Sequence, residues 1–466
     1  MQNYLIKNIS IVNEGFIRQG DVLLKNGRIE KILPQIFSSE ADTKEVNGEG
    51  KFLFPGVIDD QVHFREPGLT NKATIYTESK AGVAGGVTSF MEMPNTVPPA
   101  FTQQLLEDKY GIASQTSLAN YSFYMGTSND NAEEVLKTNK KKNDICGIKI
   151  FMGSSTGNLL VDNPSTLNRI FSESELLIAT HCEDERIIKQ NLEKFKAEKK
   201  ELTAADHPLI RNEEACYESS LRAIQIAQKH NTRLHILHIS TEKELQLFGN
   251  MIPLKEKRIT AEVCVHHLHF TSNDYGRLGN LIKCNPAIKS PNNKEALWKA
   301  LLDNRLDVIA TDHAPHTLEQ KELIRNSNGL ISSPTTREAG RGLYEKAHAG
   351  LPLVQHSLML MLYYYKQGKI TLEKIAEKMS HAVADCFQVS ERGYIREGYF
   401  ADLAILDLNR AFTVLKENIL YKCGWSPLEN IEFPASITHT FVNGNLVFEN
   451  GIFNESQKGE RLKFER

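Results

Sequence analysis

The chain has 466 residues, 41% of them hydrophobic and 24% charged, with a formal net charge of −3. That composition is ordinary for a folded protein and excludes global disorder. The small negative charge leaves no basic field for nucleic acid, although a few local cations suffice to hold an anionic substrate.

In chain order, YLIKNISIV reads as a strand and GDVLLKNGRIEKILP as a hairpin, with Asn26-Gly27 as its turn. KFLFPG continues the strand texture and leads into IDDQVHF. From about residue 55 to 385 the texture changes: strand-like runs (TSFMEM, ICGIKIFM, LLIATHC, LHILHIS, ITAEVCV, LDVIATD) alternate with longer segments. Two of these, NEEACYESSLRAIQIAQKH and NKEALWKALLDNR, are apolar at helical spacing. Repeated strand–helix units on this scale imply a parallel sheet or barrel. NSNGLISSPTTREAGRGL, residues 325–342, reads as a long surface loop of the kind that often covers an active site. Strands return after about 388 in ADLAILDL, ASITHTFVNG and NLVFENGIF, with Asn443-Gly444 as a second hairpin turn. The two ends resemble each other and differ from the middle. The expected arrangement is a small β domain built from residues 1–54 and 388–466, flanking a barrel over 55–387.

No apolar run approaches the ~18 residues of a membrane span, and the first residues lack the apolar core of a signal peptide. Seven cysteines without a CxxC pair fit free thiols in a reducing, cytoplasmic setting.

Polar residues recur just after the strand-like runs: Gln61 and His63, Asn95, Lys149, His181, His238, Asn285, Asp312 and His316. In a parallel barrel the strand C-termini share one face, where active sites are built. Each residue also has an ordinary reading, because a single strand-end histidine is more often structural than a ligand. His235 and His238, three apart on one strand, point to opposite faces, and His238 lies nearer the strand end. His266, His267 and His269 are assigned to packing and loop hydrogen bonds. Lys149 among isoleucines is awkwardly buried, and a carboxylate at Asp312 needs a cation or donors. A metal site answers these demands together, since imidazoles and carboxylates suit zinc. Zinc lowers the pKa of a bound water towards about 7. A lysine ammonium cannot ligate, whereas a lysine carboxylated by CO2 can bridge two ions.

PGVIDDQVHFREPG (55–68) resembles the signature of dihydroorotases in the cyclic amidohydrolase superfamily. MEMPNT (91–96), HCED (181–184), HIST (238–241) and ATDHAPH (310–316) fit the same family in the same order. GIKIFMG is similar to the segment bearing the carboxylated lysine in hydantoinases and dihydropyrimidinases, and GYIREGYFADLAILD and CGWSPLE extend the resemblance to the C-terminal region. The resemblance implies a TIM-like (β/α)8 barrel, a β-sandwich from both termini and a centre of one or two zinc ions. It implies His63, carboxylated Lys149, His181, His238 and Asp312 as ligands, with Asp312 also moving the proton. Arg65, Asn95 and His316 match residues holding a substrate carboxylate, which suits a guanidinium, and Asn285 matches one lining the pyrimidine ring. The implied reaction interconverts N-carbamoyl-aspartate and dihydroorotate. The expected partners are a small-molecule substrate and further copies of the chain, as in a dimeric homo-oligomer. Two departures stand out. Gln61 replaces the first histidine of the family's HxH pair, which weakens one metal position, and AHAG (347–350) replaces Ala-Pro-x-Gly. The alternatives are a hydantoinase or allantoinase, or an inactive scaffold for aspartate transcarbamoylase.

Overall fold

The computed structural model describes residues 2–37, 39–153, 158–199, 201–321, 324–325, 331–332 and 343–466. The N-terminal strands are β1 (Tyr4–Asn13), β2 (Phe16–Lys25), β3 (Arg28–Leu33), β4 (Lys44–Asn47) and β5 (Phe52–Pro55). Asn26 (φ 50°) and Gly27 (φ 81°) turn β2 into β3, both at the positive φ that a two-residue hairpin of matching twist needs. Parallel strands follow: β6 (Val57–Val62), β7 (Val87–Glu92), β8 (Asn120–Phe123), β9 (Met125–Gly126), β10 (Ile148–Phe151), β11 (Ile178–His181), β12 (Leu234–Ile236), β13 (Ile259–Cys264) and β14 (Val308–Ala310). β6-β7-β8 form one sheet and β9 to β14 another, each in sequence order. Tyr124 alone separates β8 from β9. A parallel bridge joins Val62 to His313, and the His63 N–H donates to the His313 carbonyl at 2.7 Å. The segment just after β14 therefore lies beside the end of β6.

The connecting helices form for local reasons. Glu213–His230 places Ala215, Ser219, Ala223 and Ala227 on one buried stripe at four-residue spacing. Asn212 caps it by accepting from the Ala215 N–H, and Asn231, at φ 53°, ends it in a left-handed turn. In the long loop, β15 (Ile324–Arg325) pairs with β16 (Ile331–Ser332). The rest of 325–342 lies outside the described residues.

After the last helices come β17 (Leu403–Asp407), β18 (Phe412–Thr413), β19 (Glu432–Phe433), β20 (Ser436–Val442), β21 (Asn445–Glu449) and β22 (Ile452–Phe453). Both chain ends share one nine-stranded sheet, in the order β22-β21-β20-β17-β5-β1-β2-β3 with β4 beside β1. The seam between the ends is β5 against β17, antiparallel, with Leu53 opposite Ile405. Both residues belong to a core shared with Ile6, Ile11, Leu403 and Phe441. Buried Arg392 and Asp402 pair there, and Asn120 of β8 donates to Asp402 at 3.1 Å, tying this sheet to the parallel strands. All seven cysteines are free, and no helix among the described residues is long and apolar enough to cross a membrane.

Candidate active site

Successive strands deliver the polar residues to one place. Gln61 lies on β6 with His63 just past it, and Asn95 follows β7. Lys149 is on β10, His181 ends β11, His238 follows β12 and Asp312 follows β14. Together with Arg65, Asn285 and His316, these residues line one cavity of about 700 Å³. Three of them hold left-handed backbone despite carrying side chains: Arg65 (φ 70°), His238 (φ 41°) and Asp312 (φ 47°). Such strain persists where surrounding structure over-determines it, and functional sites collect it. For Arg65 the surroundings are the REPG turn. Gly68 sits at φ 83°, and a Cβ there would collide with the Val97 carbonyl.

Asp312 anchors one group. Its Oδ1 lies 3.0 Å from His63 Nε2 and accepts from Gln61 Nε2 at 3.1 Å. The Gln61 carbonyl oxygen is 3.8 Å from Cys264 Sγ, so the amide offers Asp312 its N–H side. Burial alone would raise the Asp312 carboxyl, but His63, His266 and Lys149 outweigh it and hold it below its usual range. His63 Nδ1 lies 2.7 Å from Asn95 Oδ1. The second group is His181 and His238, with His181 Nδ1 and His238 Nε2 3.0 Å apart. His181 Nε2 donates to Glu183 at 3.1 Å, and Arg211 pairs with that carboxylate. Glu183 thus fixes the tautomer that leaves Nδ1 free of hydrogen towards His238. Burial lowers both imidazoles, His238 well below its ordinary value, so both are neutral. Burial also pushes Lys149 down to about 7, against the pull of Asp312 and Glu262.

A third group is cationic. Arg65 Nε donates to the Pro315 carbonyl at 3.1 Å, and its Nη2 lies 3.2 Å from His316 Nε2. Asn285 Oδ1 accepts from His207 Nε2 at 3.1 Å. His235, His266, His267 and His269 lie apart from this cavity's lining. His235 packs against Thr260 at 2.7 Å and Asp60 at 3.2 Å. His267 donates to the Pro286 carbonyl at 3.1 Å, and His269 Nδ1 lies 3.0 Å from the Tyr364 hydroxyl. His266 differs from the expected loop hydrogen bonding: neither of its ring nitrogens has a hydrogen-bond partner among the described residues. Outside the cavity, Cys264, His266 and His267, and separately Asp60, His235 and Glu262, form compact buried triplets whose ligand atoms lie within 4.8 Å of one another. The sequence reading missed Glu183, although HCED places it two residues after His181, and it also missed Lys72 and His348, which line the cavity.

The pattern of the Amidohydrolase family matches residues 52–447. The chain belongs to that family and is a cyclic amide hydrolase. It is 28% identical to the dihydroorotase of Methanosphaera stadtmanae, over 98% of this chain and 99% of that one. It is 27% identical to the allantoinase of Desulfitobacterium hafniense, over 98% of each chain. Among solved structures, the L-hydantoinase of Arthrobacter aurescens superposes with a TM-score of 0.89 at 25% identity, covering 99% of this chain and all of that one.

Proposed function

We propose that the protein is a zinc-dependent dihydroorotase that interconverts N-carbamoyl-L-aspartate and L-dihydroorotate. The observation that carries this reading is the Arg65–His316 pair in the wall of the cavity. A guanidinium buried beside an imidazole, with its own charge disfavoured by burial to about 10, is suited to a substrate carboxylate. Dihydroorotate carries one, whereas allantoin and the unsubstituted hydantoin ring do not. Allantoinase is the second reading, because an allantoinase relative is nearly as similar as a dihydroorotase.

The donor set suits a metal: a carboxylate, two neutral imidazoles facing each other and a lysine whose ammonium form is disfavoured. His63, Lys149 as its carbamate, His181, His238 and Asp312 would hold one or two zinc ions, with Gln61 the weakest contributor. Bound zinc supplies a Lewis acid for the ring carbonyl and lowers the pKa of the attacking water. Asp312 takes that water's proton and delivers it to the ring nitrogen as the carbon–nitrogen bond breaks. In ring closure the same carboxyl moves the proton the other way. Arg65, Asn95 and His316 orient the carboxylate, and Asn285 lines the ring. In this reading the parallel strands of 55–387 are a TIM-like (β/α)8 barrel. Residues 1–54 and 388–466 form the β-sandwich, and the enzyme works in the cytoplasm as a homo-oligomer. Arg65→Met tests the carboxylate contact. The variant is expected to weaken dihydroorotate binding by about 2–5 kcal/mol, the cost of truncating one partner of a buried charge pair, with zinc content unchanged. An unaltered KM would contradict the reading.

A further inference from the structure

Lys72 follows the REPG turn, and its backbone N–H donates to the Leu69 carbonyl at 3.0 Å. Its side chain lines the cavity while the residue is only 7% exposed. No carboxylate among the described residues forms an ion pair with it, and the charged neighbour that affects it is Arg65, of like sign. Burial first and Arg65 second push its ammonium down to about 8. His348, in the AHAG segment that departs from the family pattern, lies against His316 with ring centroids 4.8 Å apart. Arg65, Lys72, His316 and His348 all line this one cavity, and Arg65 and Lys72 both depress the two imidazoles, after burial. Two cations, Arg65 and Lys72, in one largely buried wall are costly unless an anion completes them.

Resting on the reading of this cavity as the site of cyclic amide hydrolysis, we infer that Lys72 is a direct ligand for the substrate's negative charge. With His348 beside His316, it sets the preference for anionic over neutral cyclic amides. The test compares hydrolysis of dihydroorotate with that of dihydrouracil, the same ring without the carboxylate. Lys72→Met is expected to lower the ratio of the two kcat/KM values by about tenfold or more, chiefly through the KM for dihydroorotate. Lys72→Arg should recover most of it, which a merely structural role for the side chain does not predict. A ratio unchanged in Lys72→Met overturns the inference. Binding to the unmodified protein gives a second arm that does not depend on a variant folding. Orotate should bind about tenfold or more tightly than uracil, and equal affinities would also overturn the inference. If the unmodified protein hydrolyses allantoin and leaves dihydroorotate untouched, the proposed reaction fails. Loss of orotate affinity in Lys72→Met then still decides the role of Lys72.

Discussion

Lys149 is 1% exposed on a strand whose neighbours in sequence are isoleucines, and its charged form is disfavoured there. A neutral amine is the form that reacts with CO2, and carboxylation turns a poor ligand into a good one. Lys149→Ala is therefore expected to lose both bound zinc and turnover, with partial recovery on adding short-chain carboxylic acids or bicarbonate. Full zinc and full turnover in the alanine variant would remove the lysine from the metal centre. Gln61 makes the opposite case. Its amide N–H faces Asp312 and its carbonyl faces Cys264, and a neutral amide oxygen donates less charge than imidazole. Zinc titration of the metal-free protein should show one tight and one weak position. Gln61→His should tighten the weak one, and its effect on turnover need not follow, because tighter ground-state binding does not by itself lower a barrier. Two equally tight sites, indifferent to the substitution, would make Gln61 a bystander.

At the scale of elements, the REPG turn is where backbone chemistry meets function. Gly68 at φ 83° packs against the Val97 carbonyl, and Arg65 three residues earlier is held left-handed. Gly68→Ala is expected to raise the KM for dihydroorotate with little change in zinc content, because the turn must open and carry Arg65 away from Pro315. A crystal structure of the variant with Arg65 in place would contradict this. Much of this architecture is legible in the sequence. The apolar runs from IDDQVHF to LDVIATD are strands, and the two Asn-Gly turns have positive φ at both residues. What escapes reading is tertiary. Asn120–Phe123, which pairs with β7, is too short and too mixed to stand out. Alternation between His235 and His238 assumes extended backbone, yet β12 stops at Ile236 and His238 turns left-handed. Lys72 looks like an ordinary loop lysine until the turn folds it into the cavity wall. Gln61, His63, Lys149, His181, His238 and Asp312 were legible because they lie within or just after an apolar run. Lys72 and His348 follow none.

Over the whole molecule, buried imidazoles link stability to pH. Burial holds His266 and His269 down to about 4 and His356 to about 3. A depressed imidazole is neutral in the fold and takes up a proton on unfolding. Stability is therefore lost as pH falls through the unfolded value near 6.5. Each of the three should cost about 1 kcal/mol between pH 6.5 and 5.5. His235 runs the other way: burial opposes its charge, yet Asp60 and Glu262 outweigh burial and raise it to about 9, so its contribution is lost as pH rises through that value. Denaturant midpoints should fall clearly from pH 7.5 to 5.5, and a flat profile would contradict the neutral assignments. Function at this scale depends on which ring the cavity accepts. The most direct measurement is kcat/KM of the zinc-loaded protein for dihydroorotate, allantoin and hydantoin side by side. Dihydroorotate should lead by at least about a hundredfold, roughly the discrimination of a buried charge pair. Preference for either neutral ring would contradict it.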